Sequence, residues 1–218
     1  MDEKDTKVRI LDTAEKLFAD NGFAATSLRQ ITADAAVNLA AVHYHFGSKD
    51  DLIRAVFARR IGPLNRERLE LLDRLEENRG GPAELRPIIE AFIGPPLRMS
   101  QDSRRGGRVF MRLLGHAMNQ PSDKIRGELV GQFREVGQRF RQAFARVRPG
   151  LSETEVLWRM LFMIGAMAHT MSMADQLPKI TDGMCDPRDT EALLDRLVPF
   201  LTAGMEAPAP EPAAGRSA

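Results

Sequence analysis

Residues 26–57 read TSLRQITADAAVNLAAVHYHFGSKDDLIRAVF, and three helix starts lie in this one stretch. Ser27-x-x-Gln30 has the form of a capping box, in which a hydroxyl accepts from a backbone N–H that the first turn leaves without a partner. It predicts a short helix with Leu28, Ile31 and Ala35 facing inward. Asn38 suits the cap of a second helix, from about Leu39 to about Phe46. Val37 before that cap and Val42 at the fourth helical position make a hydrophobic staple that fixes the angle at which the chain enters. Ser48-x-x-Asp51 starts a third helix with Leu52, Val56 and Phe57 inward. It runs to Gly62-Pro63, where proline lacks a backbone donor and a kink or restart is expected. Two short capped helices joined by a tight turn and braced by a third are the parts of a helix-turn-helix.

Outward from this stretch the apolar period stays at three and four. Ile10, Leu11, Ala14, Leu17 and Phe18 form a leading helical stripe that Asn21-Gly22 should stop. Beyond Pro63 the pattern continues through Leu64, Leu71, Leu72 and Leu75 to Gly80-Gly81-Pro82. Helices are then expected over residues 84–92, 109–118, 122–147, 152–174 and 190–205, with breaks at 94–96, 104–107, 148–150 and 178–187. No stretch alternates with period two, so the class is all-α, an N-terminal three-helix helix-turn-helix domain followed by a larger helical domain. The expected division is residues 1–48 for the helix-turn-helix, 49–62 for a connecting helix, 63–205 for the helical domain and 206–218 for a disordered tail rich in proline and alanine.

Composition narrows the classes. With 218 residues, 43% of them apolar, the chain can bury a real core and is not a disordered one. A single cysteine, Cys185, excludes a disulfide-stapled scaffold and suits a reducing, cytoplasmic location. The opening residues are charged where a leader needs an apolar run, and the longest uncharged run is the 15 residues 160–174. That falls short of the roughly 20 apolar residues of a membrane span.

On a helical wheel of about 100° per residue, Val42 and Phe46 share the inward face of the second short helix. Ala40 and Tyr44 point away, flanked by Ala41 and His43. Eight residues make a rod about 12 Å long, the width of a DNA major groove. The alanines would let backbone approach base edges and touch a thymine methyl, while Tyr44, His43 and Lys49 reach phosphates. Free amides at the starts of the first and third helices would bind phosphate oxygens.

The same residues resemble the DNA-binding domain of TetR-type transcriptional regulators, with LDTAEKLFADNGFAAT in place ahead of them and HYHFGSK as the specific core. The resemblance covers about the first sixty residues. It implies DNA contacts by Thr26, Ser27, Arg29, Leu39, Ala40, Ala41, His43, Tyr44, His45 and Lys49. It also implies a helical C-terminal domain that binds a small molecule and dimerises through its last two long helices, residues 152–174 and 190–205. Ala36 stands where many members carry glycine, and His43 where tyrosine is commoner. The segment from AVHYHFGSK through RRIGPLNRERLELLD is further similar to a PsrA-like branch whose members respond to long-chain fatty acids or their thioesters.

Charge runs against a strongly electrostatic DNA binder. Through Arg60 there are nine Lys and Arg and nine Asp and Glu, so nonspecific affinity should be modest and its salt slope shallow. His43-x-His45 is no metal pair, because residues two apart on a helix point about 200° from each other. Arg104, Arg105, Arg108 and Arg112 either grip an anion or lie in solvent. Nine of eleven methionines fall between Met99 and Met184, among several aromatics. Phe110, Met111, Leu114, Met118, Phe133, Phe140, Trp158, Phe162, Met163 and Met167 are therefore candidate lining of an adaptable ligand pocket, with core filler the alternative. His116 and His169 have no nucleophile or carboxylate at a reactive spacing, so neither an enzyme nor a cofactor is expected. Leu193, Leu194, Leu197, Val198 and Leu201 form a stripe, bent at Pro199, that packs on its own core or on a second subunit; the resemblance favours the second subunit.

The expected function is a ligand-responsive repressor that binds a palindromic operator as a homodimer and is released by a small apolar or acyl ligand, such as a fatty acid or acyl thioester. The alternative is a helical adaptor between proteins that never touches DNA.

Overall fold

A computed structural model of the chain describes residues 3–77, 84–102, 106–119, 127 and 129–210. Every regular element among them is helical: α1 (Glu3–Ala25), α2 (Leu28–Asp34), α3 (Leu39–Phe46), α4 (Lys49–Glu77), α5 (Leu85–Gln101), α6 (Gly107–Asn119), α7 (Arg134–Val147), α8 (Glu153–Ser172), α9 (Leu177–Ile180) and α10 (Thr190–Glu206). The chain divides into two compact units, Met1–Leu69 with Pro95–Val136 and Glu70–Gly94 with Gly137–Ala218. No helix among the described residues is long and apolar enough to cross a membrane.

The first unit is organised by α1. Ile10, Ala14 and Phe18 are buried on its inner face, and the backbone leaves helical geometry at Gly22, where φ is 79°. That turn carries Phe23 back into the core, against Phe18 at 5.2 Å between ring centroids and Phe57 at 5.8 Å. Ile31 of α2, Val42 of α3, Leu52, Val56 and Ile61 of α4, and Phe110 and Leu113 of α6 complete one apolar cluster. Each such side chain contributes about 1.5–3 kcal/mol by leaving water. Beside the cluster, Glu15 is buried and accepts from Arg59 and from Arg60, whose Nε lies 2.7 Å away, while Arg59 also reaches Asp12 at 2.6 Å. This network ties α1 to α4, and no spacing rule points to it across more than forty residues of sequence.

In the second unit, Phe92 of α5 packs on Phe140 and Phe144 of α7, with ring centroids 4.9 and 6.2 Å apart. Val156, Met160, Met163, Met167 and Met171 of α8 are buried, as are Leu194, Leu197, Val198, Leu201 and Met205 of α10, and the two helices pack together. The leucine stripe of α10 is therefore covered by its own unit, and these methionines act as core residues. Arg159 is buried at the end of that contact. Its guanidinium donates to the carbonyls of Gly204, Met205, Ala207 and Pro208 at 2.7–3.1 Å, satisfying oxygens that the end of α10 leaves free.

Several expected boundaries move. The third helix of the opening stretch does not restart at Pro63, because Ile61 and Leu64 bury the turns on both sides of it. The break at 94–96 is absent: Pro95 and Pro96 lie within α5, whose fixed φ they match, and the burial of residues 91–97 offsets the two lost donors. Residues 129–131 are helical, but a turn follows Gly131 and α7 begins only at Arg134, since Gly weakens a helix interior by about 1 kcal/mol relative to Ala. The expected loop 178–187 carries the single turn of α9. Residues 122–126, 104–105 and 211–218, to which parts of an expected helix, a break and a tail were assigned, lie outside the described residues.

The end of α2 holds an unusual residue. Ala36 N–H donates to Ala33 C=O at 3.1 Å and Val37 N–H to Thr32 C=O at 3.0 Å, the paired bonds of a Schellman motif. Its left-handed position is normally glycine, yet Ala36 occupies it at φ 50°. A Cβ there costs roughly 1–2 kcal/mol. Replacing Ala36→Gly should raise the unfolding free energy by about 0.5–1 kcal/mol after the glycine's larger unfolded-state entropy is subtracted. A urea midpoint that falls, at unchanged slope, would contradict the strain assigned here.

Candidate nucleic-acid interface

The candidate surface is built from three capped helix starts and one clamp. At the first, Ser27 Oγ accepts from Gln30 N–H at 3.1 Å, so α2 begins as the sequence predicts. Asn38 Oδ1 accepts from Ala41 N–H at 2.8 Å and starts α3. At the third, Ser48 Oγ accepts from Asp51 N–H at 3.1 Å and donates to its carboxylate at 2.5 Å. That hydroxyl holds the Asp51 carboxyl below the usual carboxylate range, with Arg54 adding to the effect. The clamp is Arg9 of α1, whose Nη2 donates to the carbonyls of Ala35 and, at 3.1 Å, Ala36. It grips the turn between α2 and α3 from outside, 26 residues away in sequence, and no local pattern in the sequence marks it.

Within α3, Val42 is 0% exposed and Tyr44 is 75% exposed. One anchors the rod and the other is turned to solvent. Gly47, at φ 79°, ends the helix with its N–H on the His43 carbonyl at 2.9 Å. His43 Nδ1 donates back to the Gly47 carbonyl at 2.8 Å, since a carbonyl can only accept, and Nε2 is left for another partner. His45 meets the Tyr44 ring edge-on at 5.1 Å. The Tyr44 phenol bonds to the Glu3 carboxylate, which holds its pKa above the ordinary value and keeps its proton in place near neutral pH. Burial pulls the Lys49 ammonium below its ordinary value.

Of the residues singled out from sequence, Ser27, Arg29, Leu39, Ala40, His43 and Tyr44 are exposed on α2 and α3, and Ala41, His45 and Lys49 are half-buried. Ala41 packs partly on the core instead of lying wholly outward. Thr26 is different. It is 0% exposed, and its hydroxyl donates to the carbonyls of Gly22 at 2.8 Å and Leu17 at 3.2 Å. The side chain fastens the start of α2 to the end of α1 and is not presented to a phosphate.

The candidate pocket residues separate into two groups. Phe110, Met111, Leu114 and Phe133 pack on the core of the first unit. Phe140, Met163 and Met167 are buried in the second, where Trp158 and Phe162 are 52% and 63% exposed and stack on each other at 5.8 Å. The side chains of Met118 and His116 lie outside the described residues. Arg112 pairs with Asp20 at 3.1 Å, and no group of His, Cys, Asp or Glu among the described residues is placed to hold a metal ion.

Comparison with known proteins adds a second line. Residues 10–56 match the profile of bacterial regulatory proteins of the tetR family, and residues 90–204 match the profile described as tetracyclin repressor-like, C-terminal domain. An HTH-type transcriptional repressor of Mycobacterium tuberculosis is 53% identical over 47 residues, 22% of this chain and 25% of the relative. The chain thus spans about a quarter of the length of the first relatives it matches. The uncharacterized HTH-type transcriptional regulator TtgW of Pseudomonas putida is 38% identical over 123 residues, 56% of this chain and 90% of that one. Among solved structures, the transcriptional regulator FadR from Bacillus subtilis in complex with stearoyl-CoA superposes with a TM-score of 0.68 at 15% identity, over 90% of this chain and 98% of the other.

The Arg9 clamp should be measurable by itself. Arg9→Gln removes two charge-assisted bonds to the turn and should cost about 1–3 kcal/mol in urea unfolding. It should also speed amide exchange at Val37 and Ala41 before it affects Ile10 or Phe18. Unchanged exchange in the turn would show that α2 and α3 keep their angle without it.

Proposed function

The chain belongs to the TetR family of bacterial regulatory proteins, and on that premise we propose that it is a transcriptional repressor which binds a palindromic operator as a homodimer and is released by a small apolar or acyl effector. One observation carries the proposal. An eight-residue helix stands with its alanine and tyrosine side open, braced by α1 and capped at both ends, in a size and shape that enters a major groove. Ala40 and Ala41 lie against base edges; Ser27, Arg29, His43, Tyr44 and Lys49 meet phosphates. An adaptor that binds only proteins does not account for this open face or for the capped helix starts beside it.

A palindrome needs two copies, and α8 supplies a surface for the second. Leu157, Trp158, Leu161 and Phe162, with Phe200 of α10, are exposed large apolar side chains, and a patch of that kind favours association. Two recognition helices about 34 Å apart then meet successive major grooves. An effector that binds the wider-spaced state better shifts the population off DNA, with a coupling of about 1–3 kcal/mol. Stearoyl-CoA in the FadR structure supports an acyl effector. We divide the work accordingly: residues 1–48 read DNA, 49–62 connect, and 63–205 bind effector and dimerise. No catalytic step is assigned to any residue, and the protein's relatives are regulators.

Gel shifts on upstream fragments of neighbouring genes test the proposal. Wild type should select one fragment. Tyr44→Ala should weaken specific and nonspecific duplexes alike, by roughly 5- to 30-fold for a lost phosphate contact and its packing. A change at Ala40 should instead alter which sequence is preferred. Wild-type binding by Tyr44→Ala would show that a different face meets DNA.

A further inference from the structure

The tyrosine at the middle of the candidate interface already has a partner within the chain. The first two turns of α1 run beside the second half of α3. Lys7 lies over the Phe46 ring at 5.9 Å, and Glu3, one turn earlier on the same face of α1, accepts from the Tyr44 hydroxyl. Arg9 continues the contact into the turn ahead of α3. His45 meets the Tyr44 ring edge-on, so the ring is held as well as its hydroxyl.

A phenol has one O–H to give, and phosphate oxygens only accept. The bond to Glu3 and a bond to the DNA backbone therefore exclude each other. Donation to an ionised carboxylate is charge-assisted, which makes Glu3 an effective competitor. Both side chains are exposed, so the bond stays weak enough for DNA to displace. Once displaced, the carboxylate is left close to a phosphate, and the two like charges repel. Glu3 is one of the nine acidic residues that balance nine basic ones through Arg60, and the geometry sets it on a phosphate donor.

We infer that Glu3 is a guard on α3: its carboxylate occupies the Tyr44 hydroxyl that a phosphate would take, and so lowers affinity for every duplex without changing which sequence is preferred. This rests on the DNA-binding reading above and adds a restraint to it. As a positioning residue Glu3 touches no base and acts only through Tyr44. Phosphates are the same on every sequence, so the restraint falls on operator and bulk DNA alike. A hydroxyl that leaves the backbone finds an acceptor within the protein at once, which favours release.

The chain has one tyrosine, so an alkaline absorbance titration without DNA reads Tyr44 alone. Glu3→Ala, at an exposed first-turn position where alanine favours helix, should fold and should bring the phenol pKa down toward its ordinary value. Fluorescence anisotropy on the fragment selected by gel shift and on a random-sequence duplex should show Glu3→Ala binding both more tightly, by about 3- to 10-fold for each half-site. Asp5→Ala removes the same charge from the same turn and should change either affinity by less than about twofold. With Tyr44→Phe in place, Glu3→Ala should likewise gain less than about twofold. The guard is overturned by an unmoved phenol titration, by Glu3→Ala binding no more tightly than wild type, by an equal gain from Asp5→Ala, or by a larger gain that persists with Tyr44→Phe. If wild type and Glu3→Ala both bind no duplex, the DNA-binding reading falls with it, a result distinct from the other four.

Discussion

A helix of eight residues does not hold its shape alone in water, so α3 exists because Val42 is driven into the core beneath it. The caps at Asn38 and Gly47 contribute about 1 kcal/mol each, and burial of the valine contributes about 1.5–3 kcal/mol more. Once Val42 is fixed, the helical repeat leaves no freedom: Tyr44 must point outward, Ala40 must stand beside it, and Phe46 must return toward the core. The candidate interface is therefore a consequence of one buried methyl pair and its neighbours in Ile10, Phe18 and Ile31.

What remains is the angle at which this rod is presented. Arg9 and Ala36 set it together. A left-handed alanine bends the chain between α2 and α3, and a guanidinium from α1 accepts the load by bonding the carbonyls on both sides of the bend. Thr26 does the corresponding work at the start of α2, and the Glu15 network with Arg59 and Arg60 does it between α1 and α4. Because the first sixty residues carry no net charge, long-range attraction adds little. On the proposed reading, recognition comes from the fit of this surface, and a misplaced α3 has little general electrostatic grip to fall back on.

Local chemistry was legible in the sequence and distant chemistry was not. Ser27, Asn38, Ser48 and Gly22 announce helix ends through side-chain or backbone preferences that act over three or four residues, and the structure bonds or bends the chain at each. The inward set Ile31, Val42, Leu52 and Phe57 follows from period alone. Arg9, Glu15 and Arg159 act on partners 26, 44 and 45 residues away, beyond any periodic rule. Thr26 looks like an exposed cap until the fold brings Leu17 and Gly22 to it. Pro95 and Pro96 look like a break because proline's cost is local, whereas the burial that offsets it is tertiary. Trp158 and Phe162 share the composition of a pocket lining, and only the position of α10 on the other side of α8 leaves them outside.

On the proposed reading, α3 lies in the major groove at two places on one operator. A dimethyl sulfate footprint on the selected fragment reads guanine N7, which faces that groove, and adenine N3, which faces the other. Two patches of N7 protection centred about 10 base pairs apart are expected, with adenine N3 between them unaffected. A bound fragment with every guanine N7 still reactive, or with protection confined to adenine N3, would contradict it.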